Sequence, residues 1–220
     1  MRTFLSAIQA TAVGLAMIAS PTSAAELNRV APAPALIVQS AASREVAYFA
    51  GGCFWGIEGV FDQVRGVQSA VSGYSGGRSA RPTYETVSSG TTGHAETVRV
   101  TFDPRRARYA DLLRIYYSVL TDPTQLDRQG PDHGPQYRGA LFPASPAQER
   151  QARAYIAQLG KAHLFARPIV TRIERLRGFT PAESYHQDFM ANHPLHPYIL
   201  VNDRPKLAAF RRLFPSLAKR

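Results

Sequence analysis

The residues most suited to chemistry form the stretch GGCFWG at positions 51–56, which contains the only cysteine and the only tryptophan of the 220-residue chain. Residues 44–50 before it have the composition of a short strand. Apolar residues after it repeat with the spacing of one helix face: Ile57, Val60, Phe61 and Val64. Cys53 is therefore predicted at a strand-to-helix junction, where glycines allow a sharp turn. Because the unpaired N–H groups of a helix N-terminus stabilise a thiolate, the pattern indicates a nucleophilic cysteine.

The alternative for Cys53 is a small buried hydrophobic residue, which is the commoner role of a lone free cysteine. A core cysteine needs neither glycines on both sides nor aromatic residues directly after it. The neighbouring residue types therefore favour the reactive interpretation.

Two further loops combine glycine with groups that exchange protons. A phenol, two carboxyls and an imidazole lie in or beside the Gly/Ser/Thr-rich residues 75–93: Tyr84, Glu85, His94 and Glu96. Glu96 stands where this loop enters a predicted strand, and partial burial there would raise its pKa and let it donate a proton near neutral pH. The alternative is an ordinary surface acid, which the residue type alone favours. The second loop, residues 130–138, is shaped by Gly and Pro and also carries polar groups.

Composition limits the classes of function. With 45% hydrophobic residues, the chain can bury one good core, so we expect one domain. A formal charge of +10 favours nucleic acid, anionic surfaces or acidic partners, but the Arg residues are scattered, so we do not predict nucleic-acid binding. The sequence has no zinc pattern, phosphate-binding loop or detectable repeat, and its single cysteine excludes an internal disulfide.

The N-terminal residues are typical of a secretory signal peptide. Arg2 precedes a mostly apolar run through Ile18, and small residues suited to cleavage follow. We predict a signal peptide over 1–24, an Ala/Pro-rich linker over 25–43 and a single catalytic domain over 44–220, exported to the periplasm or secreted. An uncleaved membrane anchor is the alternative, because a signal peptide usually has more positive charge before its apolar run than the single Arg2.

The order of elements predicts an α+β fold. Strands are expected at 44–50, 67–74, 97–102 and 137–142, with helices after Cys53 and from about Arg108. This βαββαβ order is that of a ferredoxin-like core, a two-layer sandwich in which helices cover one face of an antiparallel or mixed sheet.

Three further elements are predicted towards the C-terminus. Residues 168–176 are expected to form a strand and residues 204–214 a final helix that docks on the core. Helix starts are predicted at Ser145 and Thr180, because each precedes a proline and is followed three residues later by Gln or Glu.

Five motifs, in this order, resemble those of the A-type peptide methionine sulfoxide reductases. They are GGCFWG at 51–56, TYE at 83–85, GTTGHAE at 90–96, DHGPQYR at 132–138 and AESYHQ at 182–187. They cover about residues 45–197, and five motifs in order are far more specific than any one alone. The resemblance implies the α+β two-layer fold of that family and the reduction of methionine S-sulfoxide, in proteins or as the free amino acid.

The resemblance also implies roles for individual residues. Cys53 matches the thiolate that attacks the sulfoxide sulfur, and Glu96 matches the acid that protonates the leaving oxygen. Tyr84 and Tyr137 match tyrosines that hydrogen-bond this oxygen, and Asp132 matches a supporting carboxylate. A sulfoxide is a poor electrophile until its oxygen accepts a proton or strong hydrogen bonds, so these roles agree with the chemistry.

Phe54 and Trp55 match the aromatic residues that hold the substrate methyl group. An apolar pocket for this methyl beside a polar side for the oxygen can select one sulfoxide epimer.

The chain departs from many relatives in lacking a second cysteine that would attack the sulfenic acid on Cys53. We therefore expect no bound cofactor and an external thiol reductant, either a thioredoxin-like protein or a small thiol. Two other departures, Ser88 in place of a frequent cysteine and Pro131 in place of a frequent asparagine, touch none of the proposed catalytic residues.

Other interpretations remain open. A one-cysteine thiol peroxidase would use the same sulfenate chemistry, and a non-catalytic basic envelope module would bind anionic surfaces through its excess Lys and Arg. We expect a monomer without stable membrane insertion after signal cleavage. A structural role is predicted for His186, and no metal is predicted at His193 and His196 because no third ligand is near.

Overall fold

A six-stranded mixed sheet forms the centre of the protein in the computed structural model, which describes residues 29–219. The strands are β1 (Glu45–Ala50), β2 (Val67–Ser75), β3 (Ala95–Phe102), β4 (Arg128–Gln129), β5 (Asp132–His133), β6 (Ala140–Leu141), β7 (Arg172–Ile173) and β8 (Phe179–Pro181). The sheet has the order β7-β6-β1-β3-β2-β8, while β4 and β5 form a separate pair. The predicted signal peptide lies outside the described residues.

Four strands in the order β6-β1-β3-β2 form the expected βαββαβ core. Their pairings are all antiparallel, and only β6 and β7 are parallel, which makes the whole sheet mixed. The predicted α+β architecture is therefore confirmed.

The helices are α1 (Phe54–Asp62), α2 (Tyr84–Ser88), α3 (Tyr109–Ile115), α4 (Pro146–Lys161), α5 (Phe189–Asn192) and α6 (Arg204–Leu213). Five residues of π-helix, Tyr116–Leu120, continue α3, and a second π-helical turn, Ile199–Asp203, leads into α6. Within residues 29–219, no helix has the length and apolar character needed to cross a membrane.

The main core lies between the sheet and the apolar face of α1. Ile57, Val60 and Phe61 are fully buried, as their spacing predicts, and the ring centroid of Phe61 lies 4.8 Å from that of Phe49 on β1. The central strand β3 is buried along nearly its whole length because it has neighbours on both sides. The predicted final helix is also present, and Phe210 of α6 is fully buried.

Some predicted elements are shorter than expected. The strand predicted at 137–142 is reduced to β6, because Pro135–Tyr137 form a 3-10 helix, and the strand predicted at 168–176 is reduced to β7. The loop predicted at 75–93 contains α2, which begins after Thr83. The Thr83 side chain accepts a hydrogen bond from the backbone N–H of Thr86.

The helix start predicted at Thr180 is wrong, whereas that at Ser145 is confirmed. Ser145 Oγ accepts a hydrogen bond from the backbone N–H of Gln148 at 3.2 Å. Thr180 instead pairs with Tyr74 as part of β8. Glu183, expected to complete the cap, accepts hydrogen bonds from the hydroxyl of Tyr74 and the backbone N–H of Tyr84, both at 2.9 Å. Pairing along the edge of the sheet outweighs the local capping preference.

Part of the predicted linker packs along α3 and α4. The backbone N–H of Ala31 donates to Ser118 Oγ at 2.9 Å, and its carbonyl accepts from Arg114 Nε at 2.8 Å. The hydroxyl of Tyr155 donates to the carbonyl of Pro32 at 2.8 Å. These contacts fix the segment on the domain surface, and the division into signal peptide, linker and domain stays a prediction.

This docking predicts that Ala31→Asp destabilises the protein. Ala31 is fully buried, so a carboxylate there would lose its hydration without a partner or would force the segment off the surface. The free energy of unfolding should fall by about 1–3 kcal/mol in a denaturant titration. Ala33→Asp is the matched control, because Ala33 is exposed and its variant should unfold like the wild type. Equal stability of the two variants would contradict the docking.

Candidate active site

Cys53 lies at the junction between β1 and α1, as predicted. It is the N-cap residue of α1, and the chain reaches it through Gly52, whose φ of +104° lies in the left-handed region that favours glycine. The backbone N–H of Trp55, in the first turn of α1, is close enough to the Cys53 sulfur to lower the pKa of the thiol. The thiol side chain is only 8% exposed.

Antiparallel pairing places Glu96 beside this junction. Phe49 near the end of β1 lies opposite Val98, so the start of β3 is next to the residues that follow β1. Glu96 is 2% exposed, and its Oε2 accepts a hydrogen bond from the backbone N–H of Phe54 at 3.0 Å. Its carboxyl is thus held against the same helix N-terminus as the thiol.

Burial changes the protonation of Glu96. Loss of hydration raises its pKa to about 8, and the negative charges of Asp132 and Asp203 act in the same direction. The hydrogen bond from Phe54 opposes this change but does not cancel it. Glu96 is therefore mainly an uncharged acid at neutral pH, and the alternative of an ordinary surface acid is excluded.

Three more polar side chains surround the thiol and Glu96. Tyr84 is the first residue of α2, Tyr137 ends a 3-10 helix, and Asp132 belongs to β5. Both tyrosines lie within electrostatic range of Glu96 and Cys53, and burial raises their pKa values, so the phenols keep their protons. They are hydrogen-bond donors on the polar side of the site.

Aromatic rings form the other side. Trp55 stacks on Phe189 with ring centroids 3.8 Å apart, and its Nε1 donates to His186 Nδ1 at 3.1 Å. Burial lowers the pKa of His186, which agrees with a neutral ring that accepts this hydrogen bond. His186 also lies 4.4 Å from the ring of Tyr84, so it joins the aromatic side to the polar side.

Phe54 is more deeply buried than the predicted contact with a substrate methyl group requires. It is 1% exposed, and its ring packs against Tyr74 and His186 with centroid distances of 6.0 and 5.0 Å. Trp55 is only partly buried, so its ring is the more accessible of the two.

Residues near the C-terminus add further polar and charged groups beside the site. Tyr198 donates to Asp132 Oδ2 at 2.5 Å, and Lys206 Nζ donates to Asp203 Oδ1 at 3.1 Å. Asp203 is fully buried against Gly56 in the first turn of α1, where any side chain on this glycine would overlap with its carboxylate. Among the described residues, Asp203 Oδ2 has no hydrogen-bond partner.

Comparison with known proteins identifies the family. Residues 45–217 match the peptide methionine sulfoxide reductase family. The chain belongs to this family. The sequence is 52% identical to peptide methionine sulfoxide reductase MsrA 2 of Mesorhizobium japonicum over 179 residues, which cover 81% of this chain and 92% of the relative. It is 44% identical to MsrA 2 of Synechocystis sp., with coverage of 94% and 99%.

Two solved structures share the fold. The structure of methionine sulfoxide reductase A of Corynebacterium diphtheriae matches with a TM-score of 0.61 and 32% identity over 72% of this chain and 79% of that one. Reduced Mxr1 from Saccharomyces cerevisiae matches with a TM-score of 0.64 and 28% identity, covering 74% and 92%. The resemblance inferred from the five motifs is confirmed.

The structure brings the predicted reductase residues together where β1 ends and β3 begins. They are Cys53, Phe54, Trp55, Tyr84, Glu96, Asp132 and Tyr137. Their individual roles stay predictions. Tyr198, Asp203 and Lys206 were missed, because the C-terminal segment was interpreted only as a helix that docks on the core. Glu183 lies in the AESYHQ motif, so the motif could have indicated it, but it was assigned to a helix cap.

The expected stabilisation of a Cys53 thiolate is not what the site produces. Burial raises the pKa of the thiol, and the negative charges of Glu96 and Asp203 act in the same direction. The backbone N–H of Trp55 and the charge of Lys206 lower the pKa of the thiol by less. The resting cysteine is therefore a thiol.

The two histidines considered as metal ligands contact aromatic rings instead. His193 lies 4.3 Å from the ring of Phe189, and His196 lies 6.0 Å from that of Trp55. In the part of the chain that the structure describes, no group of three or more His, Cys, Asp or Glu side chains could hold a metal ion.

Glu96→Gln should remove a pH-dependent loss of stability. The pKa of Glu96 rises from 4.5 to about 8 on folding, so its contribution to stability is complete below 4.5 and is lost as the pH rises through about 8. Because one pKa unit corresponds to about 1.4 kcal/mol, the loss amounts to a few kcal/mol. Between about pH 5 and pH 9, the free energy of unfolding should fall more for the wild type than for E96Q.

The control for this measurement is Glu85→Gln, which changes an exposed glutamate on α2. Its pH dependence should follow that of the wild type. Parallel curves for the wild type and E96Q would mean that Glu96 is not the buried acid described above.

Proposed function

We propose that the protein reduces methionine S-sulfoxide in proteins and peptides to methionine, with Cys53 as the nucleophile. The observation that carries this proposal is the uncharged carboxyl of Glu96, buried beside the only thiol of the chain. A sulfoxide oxygen leaves only when it receives a proton, and few surface sites hold an acid protonated at neutral pH. The names of the relatives support the same activity.

In the first half of the reaction, the Cys53 sulfur attacks the sulfoxide sulfur while Glu96 gives its proton to the sulfoxide oxygen. The attack forms a bond between the two sulfur atoms as the protonated oxygen leaves the substrate as hydroxide. The hydroxide then attacks the Cys53 sulfur, which breaks the sulfur–sulfur bond, frees methionine and leaves a sulfenic acid on Cys53. The substrate sulfur gains two electrons and the cysteine sulfur loses two. Glu96, now a carboxylate, takes the proton that the thiol loses, so the step requires no external proton. Tyr84 and Tyr137 donate hydrogen bonds to the oxygen as its negative charge grows.

Selectivity follows from the two different sides of the pocket. Trp55 offers an apolar surface for the S-methyl group, and the phenols and Glu96 lie on the side that receives the oxygen. Exchanging the methyl group and the oxygen would place each against the wrong surface, so one epimer is favoured.

The second half requires an external thiol, because Cys53 is the only cysteine. One thiol attacks the sulfenic acid, releasing water and leaving a mixed disulfide on Cys53. A second thiol then attacks the other sulfur of this disulfide and releases the Cys53 thiol, so one disulfide is formed per sulfoxide reduced. A thioredoxin-like protein supplies both thiols in one molecule. Two molecules of a small thiol would likewise end as one disulfide per sulfoxide reduced. No bound cofactor is needed.

Cys53→Ser should abolish reduction of methionine S-sulfoxide driven by dithiothreitol, measured as methionine by chromatography. Glu96→Gln should keep the fold and slow the reaction about 10²-fold or more, because the acid is lost while the carbonyl acceptor is kept. The R epimer is the matched control and should react slowly with every variant. Substantial turnover by C53S would refute the assignment, and faster consumption of hydrogen peroxide than of the sulfoxide would favour the thiol peroxidase.

We also propose that the enzyme is exported and acts as a monomer on oxidised envelope or secreted proteins. The support for export is the sequence of residues 1–24, with Arg2 before an apolar run and small residues at its end.

Expression of the full chain in a bacterium should yield a periplasmic protein whose N-terminus is Ala25, measured by mass spectrometry of the intact protein. Leu15→Arg interrupts the apolar run and should keep the uncleaved chain inside the cell, whereas Leu15→Ile should behave as the wild type. A full-length mass for the wild type would contradict cleavage.

A further inference from the structure

A cavity of about 180 Å³ is lined in part by Asp132 and Tyr198, which are joined by a hydrogen bond. Its lining comes from the loop that joins α3 to β5 and from the segment that contains the Ile199–Asp203 turn and α6. A cavity of about 150 Å³ can hold a benzene molecule, so this one can hold the side chain of a leucine or phenylalanine. No role for it follows from the chemistry at Cys53.

The cavity and the active site share a wall. The ring of Tyr198 contacts Trp55 edge-on with centroids 5.8 Å apart, and its hydroxyl binds Asp132, while both Tyr198 and Asp132 line the cavity. In an extended peptide, side chains two residues apart point the same way and lie about 7 Å apart. This spacing is comparable to the 5.8 Å between the ring of Trp55, beside Cys53, and that of Tyr198 in the cavity wall.

The polar groups of the lining already bind one another. Gln129 accepts from the backbone N–H of Asp122 at 3.0 Å and donates to its carbonyl at 2.7 Å, and Gln125 donates to the Asp122 carboxylate at 2.8 Å. Lys206 binds Asp203, and Asn202 donates to the carbonyl of Tyr198. What the cavity offers to a ligand is thus mainly its apolar lining: Leu120, Pro131, Val201, Pro205 and Ala209.

Large apolar side chains are exposed around the same region. Val201 in the cavity lining is 72% exposed, and Leu126, in the loop between Gln125 and Gln129 of the lining, is 59% exposed. Such exposure costs solubility without benefit to folding, and apolar surface grouped at a pocket marks a binding surface.

We propose that this cavity binds an apolar side chain of the substrate polypeptide, about two residues from the methionine sulfoxide. The proposal rests on the proposed function and makes it more specific. It names the preferred substrate as a sulfoxide within an unfolded, partly apolar segment, rather than the free amino acid. Binding of the neighbouring residue holds the sulfoxide in place at Cys53 and so raises kcat/KM for such peptides.

The test compares two peptides of the same length with dithiothreitol as the reductant. One has leucine and the other serine at the positions two residues before and after methionine S-sulfoxide, and N-acetyl-methionine S-sulfoxide amide is the small substrate. The wild type should prefer the leucine peptide about 10-fold in kcat/KM, since a difference of even one methylene group in an apolar pocket discriminates between substrates by about 10-fold or more.

Val201→Asp should abolish this preference and leave kcat/KM for the small substrate unchanged. Leu200→Asp is the matched control, because Leu200 is exposed in the same turn but does not line the cavity, and its variant should keep the preference. Equal rates of the wild type with both peptides would overturn the proposal, as would an equal loss by V201D on all substrates.

A third result would assign the cavity to another partner. If V201D keeps the peptide preference but slows turnover only when a thioredoxin replaces dithiothreitol, the surface binds the reductant and the proposal is wrong. Failure of the proposed function looks different, because the wild type would then reduce none of the three substrates.

Discussion

The burial of a carboxylic acid beside the only thiol of the chain is the constraint on which the site depends. Transfer of a carboxylate out of water without a cation costs so much that the group keeps its proton instead. Glu96 accepts a hydrogen bond from the backbone N–H of Phe54, and the charges that act on it are those of two other acids, Asp132 and Asp203. The protein thus keeps Glu96 protonated at neutral pH because the carboxyl is buried away from water and lies near other acids. Ionisation of Glu96 lowers the stability of the fold.

The topology of the sheet explains how these groups meet. In the antiparallel order β6-β1-β3-β2, the strand ends of β1 and β2 and the strand starts of β3 and β6 lie at the same end of the sheet. Cys53 follows β1, Tyr84 follows β2, Glu96 is at the start of β3 and Tyr137 precedes β6. Residues up to 84 positions apart in sequence, from Cys53 to Tyr137, therefore share one small volume without any long loop reaching across the sheet.

Local patterns in the sequence were sufficient for the parts of the fold that local forces decide. The helix face of Ile57, Val60 and Phe61 and the N-cap at Ser145 depend on residues within a few positions of each other, and both predictions are confirmed. Thr180 shows where this fails, because its capping pattern competes with pairing to a strand that lies about 100 residues earlier.

The same limit applies to the site. Residue type favoured an exposed Glu96, and only the neighbours of β3 in the sheet make it buried. Tyr198 and Asp203 reach the site through a turn whose position depends on the docking of α6, so neither spacing nor composition could indicate them. The thiol was expected to ionise readily at a helix N-terminus, but burial and two nearby acids raise its pKa by more than the backbone N–H of Trp55 lowers it.

A thiol that resists ionisation is compatible with the proposed reaction, because one event activates both partners. While Glu96 keeps its proton, it cannot accept the proton of Cys53, and a buried neutral thiol reacts slowly with small oxidants. When a sulfoxide oxygen takes the proton of Glu96, the carboxylate that remains becomes the base that accepts the thiol proton. The nucleophile is thus formed only as the electrophile is activated, and raised pKa values on both groups make the site selective rather than inactive.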